Sequence, residues 1–351
     1  MSIRTQRKNK LDEIYEFRLA EEADISRIMR YIREVWDAEH ILGNNEEFFR
    51  YEFCYDGHVN FVLAVRKDNG RIDAVHGFYP ASNEWGTTHF DIWGAMWSVR
   101  KEKNVSPFLG IEIGMRMAIL VDARESMGVG IRPSTSARIH GARNEHFVGK
   151  MNHYYMLNHL SDYQIAHVEE KKFPAEAKMS TVQMFPITTE IMLNKMYSFA
   201  DTEQIPYKDS WYINKRFLSY PYVDYEVYGL GESESAIKAV LVLRRVRNNN
   251  RTAIRIVDYI GDIHMLPKIQ CLLQKMMDKN CEYIDFYCYG FEDEVIEAAG
   301  FCRREIEDKN IIPNYFSPFE QRNVDIYFNY TKEHKVRICK ADADQDRPNV
   351  I

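Results

Sequence analysis

The run 88–100, THFDIWGAMWSVR, places a carboxylate, Asp91, and an imidazole, His89, in a stretch otherwise rich in aromatic and β-forming residues. Carboxylates are depleted in strands, so Asp91 needs a reason to be there. Two reasons suit it: a solvated or loop-bonded place at the exposed start of a strand, or service as a general base that takes an ammonium proton directly or through a water. His89 could do the same work, because its intrinsic pKa lies near neutrality. Downstream, Ser106, Phe108 and Leu109 lead to Gly110, where Ile113, Met117, Leu120 and Val121 take up helical spacing. A helix start offers unpaired N–H groups and a positive dipole end, the natural seat for a phosphate, and Arg100, Lys101 and Lys103 could add charge.

The elements that must position these groups follow a repeating order. A strand at 16–19 precedes a helix at 23–36, in which Ile25, Ile28, Met29, Ile32 and Val35 share a face. Strands at 61–65 and 73–78 flank the turn Asp68-Asn69-Gly70. The long strand 88–100, a helix at 110–126, a short strand at 129–131, a helix at 137–148 and a strand at 154–157 complete the series. After a connecting region, 161–205, similar logic restarts. It runs through a helix at 211–218, a strand at 225–229, an antiparallel pair at 236–245 and 252–260, a helix at 266–277, a strand at 283–287, a helix at 292–298 and a last strand at 324–328. The expected organisation is an α/β (α+β) chain with domains at 1–160 and 206–340 and a flexible tail at 341–351.

Composition narrows the classes. A chain of 351 residues sits where single cores tend to split in two. A net charge of −6 disfavours nucleic acid as the main partner, although a small anion can still be held by oriented N–H groups. No run approaches the roughly 18 apolar residues of a membrane span, and no apolar signal core follows the charged residues near Met1, so a cytoplasmic protein is expected. The cysteines at 54, 271, 281, 288, 302 and 339 have no C-x-x-C pair, so neither a metal site nor a disulfide framework is expected.

The order strand, helix, hairpin, long strand, loop, helix, strand, helix, strand over 15–157 resembles the GNAT acyltransferase superfamily, and 206–340 resembles a second copy. The resemblance implies two tandem GNAT-like domains, each a mixed, mostly antiparallel sheet flanked by helices. It also implies coenzyme A or acyl-CoA as cosubstrate and an amine as acceptor. The family's glycine-rich phosphate loop is not matched, since 100–110 reads RKEKNVSPFLG. By the same resemblance the thioester lies near Val99, and counting back by twos puts Trp97, Ala95, Trp93, Asp91 and His89 on its face. Arg100, Lys101, Ser106, Phe108, Leu109 and Gly110 would then meet the pyrophosphate, with Asn144 a further coenzyme A contact among Arg138, His140, Arg143 and His146. The place of the family's tyrosine acid holds Val148, so no side-chain acid is assigned.

In the second half the corresponding loop is only Asp262, Ile263, His264 and Met265, too short and acidic for a pyrophosphate, which leaves one coenzyme A site per chain. The runs 211–228, 283–290 and 311–319 resemble the GNAT-type N-acyltransferases of nucleotide-linked amino sugars. That implies a nucleotide-sugar acceptor, with Trp93, Asp285, Tyr287, Asn314, Tyr315 and Phe316 as its contacts. Two other readings stand beside this one: a tandem GNAT-like transferase using aminoacyl-tRNA, which would need a basic track not seen here, and a ligand-binding pair without catalysis. Oligomeric state is left open.

Overall fold

The computed structural model describes residues 10–55, 57–175 and 179–348. In chain order these form β1 (Tyr15–Ala20), α1 (Ile25–Tyr31), α2 (Glu46–Phe53), β2 (His58–Arg66), β3 (Ile72–Pro80), β4 (Asp91–Val99), α3 (Leu109–Leu120), β5 (Glu125–Val129), α4 (Ser136–Gly141) and β6 (His146–Lys150). There follow β7 (Asn152–Leu157), β8 (Gln183–Pro186), α5 (Ser210–Ile213), β9 (Glu226–Gly231), β10 (Ile237–Asn248) and β11 (Arg251–Gly261). The last are α6 (Gln270–Met276), β12 (Cys281–Tyr289), α7 (Asp293–Ala298), β13 (Cys302–Arg303), β14 (Tyr327–Thr331) and β15 (Ile338–Cys339).

Strand β2 shows why the first sheet is covered on both sides. Phe61, Leu63 and Val65 pack with Ile28 and Phe49 of α1 and α2, while Val62 and Ala64 pack with Leu109, Ile113 and Met117 of α3. A strand buried on both faces reads as a continuous apolar run, as FVLAV does here. The sheet order is β1-β2-β3-β4-β5-β14-β6, and the second sheet runs β13-β7-β12-β11-β10-β9-β8 with β15 added to β12. Only β4 with β5 and β11 with β12 pair in parallel among these ladders. Two mixed, mostly antiparallel sheets flanked by helices are thus present, as the sequence implies.

The two halves exchange strands. After β6 the chain needs only Met151 before β7 leaves the first sheet to pair with β12, from Asn152↔Cys288 to Leu157↔Tyr283. In return β14 inserts between β5 and β6, with Phe328 opposite both Val129 and Gly149. The strand expected at 154–157 therefore lies within the second sheet, between β13 and β12, and the one expected at 324–328 lies in the first. The helix expected over 137–148 stops at Gly141, because His146 onward is taken up by the ladder with β14.

A flexible tail from 341 is also corrected for residues 341–348; those beyond lie outside the described part. Ala341 and Asp342 are fully buried, and Asp346 accepts from Tyr225 and Arg244 at 2.8 and 2.6 Å. Small and charged residues can be ordered when every charge finds a partner. Among the described residues, no helix is long and apolar enough to cross a membrane.

Candidate acyl-transfer site

Strand β4 holds the first sheet's irregularity. Its parallel pairing with β5 ends at Gly94↔Gly128, yet the strand continues to Val99 beside β3. The register with β3 shifts between Val75 and Gly77, and opposite that shift Met96 adopts φ 49°, a conformation that a long side chain rarely takes. Such an outlier costs about 1–3 kcal/mol and points to function when the surroundings enforce it. The result is a wedge, with β4 unpaired on its β5 side beyond Gly94 and the end of β5 facing it.

A row of rings spans this wedge. His76 of β3 stacks on Trp97 at 5.3 Å, Trp97 lies 5.6 Å from His140 of α4, and His140 lies 5.2 Å from His146 of β6. Burial pushes His76 down to about 3 and His140 and His146 to about 4, so all three are neutral near pH 7. His76 Nδ1, His140 Nδ1 and Asn329 Oδ1 are buried without a protein partner. Neutral donors and acceptors of this kind suit an uncharged polar group better than an ion. At the wedge's mouth α3 begins, where Leu109 N–H donates to Ser106 O at 3.1 Å and Phe108 is exposed.

The second sheet has the same wedge, but filled. Pairing of β11 with β12 ends at Ile256↔Phe286. The C-terminal segment lies in the gap: Cys339 pairs with Cys288, Ala341 N–H donates to Val257 O at 2.8 Å, and Arg337 reaches Gly261 O at 2.9 Å. Asp262 accepts from His264 N–H at 3.0 Å, satisfying a helix start with the chain's own carboxylate instead of a phosphate.

On the side of β4 away from α3 lies a narrow, aromatic-walled cavity of about 490 Å³ including its open mouth, lined among others by Glu52, Tyr79, Trp93, Trp211, Lys215 and Arg347. Glu52 is buried on α2 and accepts from Tyr79 OH, which burial keeps protonated; Arg347 donates to the same phenol at 2.9 Å and touches Met96 Sδ at 3.8 Å. The cavity thus adjoins the distorted residue of β4. Glu52 went unnoticed in the sequence, though it had a signal: Phe48, Phe49, Glu52 and Phe53 form the buried stripe of α2, so an acid sits on an apolar face.

The expected site residues divide. Counting by twos along β4 fails at the bulge: Trp97 and Val99 pack toward α3, whereas Trp93 packs against Tyr212 on the opposite side. Asp91 is not at an exposed strand start. It is fully buried, bound by Arg124 at 3.0 and 2.6 Å, and accepts Tyr207 N–H at 2.8 Å. His89 lies in the preceding loop against Glu84. Arg100 is tied to Glu34 at 2.6 Å and to Ile72 O, while Lys101 is exposed beside the loop, and Asn144 is exposed in the turn before β6.

Asp285, Tyr287, Asn314 and Phe316 are brought together, but around Arg255 and not at the cavity. Arg255 binds Asp285 at 3.2 and 3.0 Å and Asn314 O at 2.7 Å, and lies over Phe316; His153 stacks on Tyr287 at 3.7 Å. Tyr315 is exposed, with Arg322 over its ring. Of the expected acceptor contacts only Trp93 lines the cavity.

No protein-family model and no curated protein matches the sequence. Among solved structures, the chain is similar to a GCN5-related N-acetyltransferase of Anabaena variabilis ATCC 29413, with TM-score 0.57 and 10% identity over 90% of this chain and 72% of that one. It is also similar to a conserved protein of Enterococcus faecalis V583 described as a probable N-acyltransferase, with TM-score 0.54 and 8% identity over the same shares of the two chains. At these identities the likeness is one of fold, and it extends over nine-tenths of this chain.

Proposed function

We propose that this chain is an acyl-CoA-dependent N-acyltransferase with one acyl-CoA site, in the wedge of the first sheet. The observation that carries the reading is the contrast between the two wedges: in the first, among the described residues, no strand pairs with β4 on the β5 side beyond Gly94 and side-chain polar atoms are buried without partners, while the second is filled by the chain's own C-terminal segment. The pyrophosphate would lie against the first turn of α3, with Lys101 at hand and Arg100 serving to hold β4 to the residues after α1. Val99 and the β4 edge before it would run beside the pantetheine, and Ser106, Phe108, Leu109 and Gly110 would frame the phosphate turn.

Acyl-CoA supplies an activated carbonyl. The N–H groups of β4 after Gly94 that face away from β3 would stabilise the oxygen of that carbonyl as negative charge develops on it. The acceptor's amine attacks from the cavity, a C–N bond forms as the C–S bond breaks, and Glu52, held by Tyr79, takes the amine proton directly or through a water. Solvent returns a proton to the departing thiolate. Asp91 then acts by fixing β4 to the segment around Tyr207, and His89 does not enter the reaction.

The acceptor is the amine of a nucleotide-linked amino sugar, such as dTDP-3-amino-3,6-dideoxygalactose, and the acyl group is acetyl or 3-hydroxybutanoyl, for a cytoplasmic step toward bacterial surface polysaccharide. The sequence runs at 211–228, 283–290 and 311–319 support this reading, as do the aromatic walls of the cavity, on which a base can stack. The test is calorimetric titration with coenzyme A, followed by thiol release from acetyl-CoA and 3-hydroxybutanoyl-CoA with mixed amino-sugar nucleotides. One site per chain and acceptor-dependent thiol release are expected. Two equivalent sites, or none, would overturn the assignment.

A further inference from the structure

The helix at Ser210–Ile213 continues as a wider π-turn, Asn214–Leu218, and both Lys215 and Arg216 of that turn line the cavity. Irregular turns of this kind recur at functional sites. Lys215 Nζ stands 5.6, 5.3 and 5.2 Å from the ring centres of Tyr51, Tyr55 and Trp211. Among the described residues it has neither an ion pair nor a hydrogen-bond partner, and burial pushes its ammonium down to about 8. Arg216 gives Nε to Ala341 O and one terminal nitrogen to Tyr225 OH, both at 3.2 Å, but its other nitrogen is buried without a partner.

Arg347, the third cation of the cavity, is already paired with Asp344 at 3.2 Å, so Lys215 and Arg216 are the two that have no ion pair among the described residues; Glu52, and for Arg216 also Asp346, act on them only at longer range. Around them Trp93 Nε1, Arg347 Nε and the hydroxyls of Tyr212 and Tyr220 are also buried without partners. Water could satisfy these hydrogen bonds. It would not neutralise two cations in an aromatic cavity whose lining includes a single carboxylate, Glu52. Indole and guanidinium nitrogens only donate, so what completes the cavity must be rich in acceptors and negatively charged.

We infer that the acceptor brings its own anionic group, a phosphate or a carboxylate, which is seated by Lys215 and Arg216 while its amine meets Glu52 and Tyr79. This rests on the reading of the cavity as the acceptor site, but it does not depend on which acyl group is transferred. The second half thereby supplies the charge recognition, and α2 of the first half supplies the base.

The test uses the full chain saturated with coenzyme A, so that phosphate probes cannot enter the pyrophosphate turn, and three amines: glucosamine, glucosamine 6-phosphate and muramic acid, which carries a carboxylate. In calorimetric titration, one or both anionic amines should bind at least tenfold more tightly than glucosamine, and the stronger of the two identifies the anion. Lys215→Met and Arg216→Gln should each reduce that advantage at least tenfold with coenzyme A affinity unchanged, which also shows that the variants fold. Equal binding of all three amines, or anion binding unchanged in both variants, overturns the inference. Thiol release from acetyl-CoA is read separately. Lys215-dependent binding without release supports the anion seat and counts against acyl transfer, whereas release that is equal for neutral and anionic amines does the reverse.

Discussion

Replacing Asp91 with Asn separates a structural role from a catalytic one. The carboxylate is fully buried, meets Arg124 in a two-point ion pair and accepts the Tyr207 N–H at 2.8 Å, so the substitution keeps the shape but removes the charge that Arg124 faces. Breaking a buried pair from one side costs about 3–5 kcal/mol, because the other charge stays buried without compensation. Arg124 still donates to Thr202 O and Gln204 O at 2.6 and 2.9 Å, which favours the lower part of that range. With an unfolding entropy of about 0.7 kcal/mol/K for 351 residues, the melting temperature should fall by about 4–7 °C. Replacing Arg124 with Met in the same chain should restore part of this, since the pair is then removed together. The assay is a thermal melt followed by circular dichroism, beside turnover measured well below the transition. If Asp91→Asn melts within about 1 °C of the parent yet loses a factor of ~10²–10⁴ in turnover, the structural reasoning is refuted and Asp91 is the base after all.

Two further perturbations test the rest of the arrangement. Glu52→Gln keeps an acceptor for Tyr79 OH but cannot take a proton, so kcat should fall by ~10²–10⁴ with coenzyme A affinity unchanged; a loss under about threefold would put the base elsewhere. A chain cut after Leu160 should not fold, because β14 would be missing between β5 and β6 and β7 would have lost β12; a cooperative melt of that fragment would contradict the strand exchange.

Much of the scaffold was legible because its signals are local. The turn at Gly70, with φ 73°, joins β2 to β3 as read, and the long run 88–100 is β4 over most of its length. What was lost was non-local. Only Met151 separates β6 from β7, a spacing that suggests one continuing unit, yet the two strands belong to different sheets. The face of β4 was misjudged because period-2 counting assumes a regular pleat, and one bulge turns every residue beyond it to the other side. An exposed strand start was one of two readings of Asp91, and it fails because its partners, Arg124 and Tyr207, come from distant segments. Glu52 was passed over because its helix, Glu46–Phe53, was not read at all between the helix at 23–36 and the strand at 61–65, and an acid within an apolar stripe carries information only once the facing residues are known.

On the proposed reading, the second half explains why two similar halves would hold one cofactor site and how a wall for the other substrate would arise. A parallel strand pair that parts after a few residues leaves unpaired backbone, and buried backbone must find a partner. In the first sheet that demand can be met by a ligand. In the second it is met by residues 336–342, and the same segment runs on to place Ala343 and Arg347 in the cavity beside β4. Lys208 fixes the junction, held 2.7 Å from both Asp258 of β11 and Asp342 of the tail, and lying 5.6 and 5.4 Å from the rings of Trp93 and Tyr212. Filling the second wedge and shaping the cavity beside β4 are therefore one structural event: the segment that fills the gap in one half delivers Arg347 to Tyr79 and Met96 of the other.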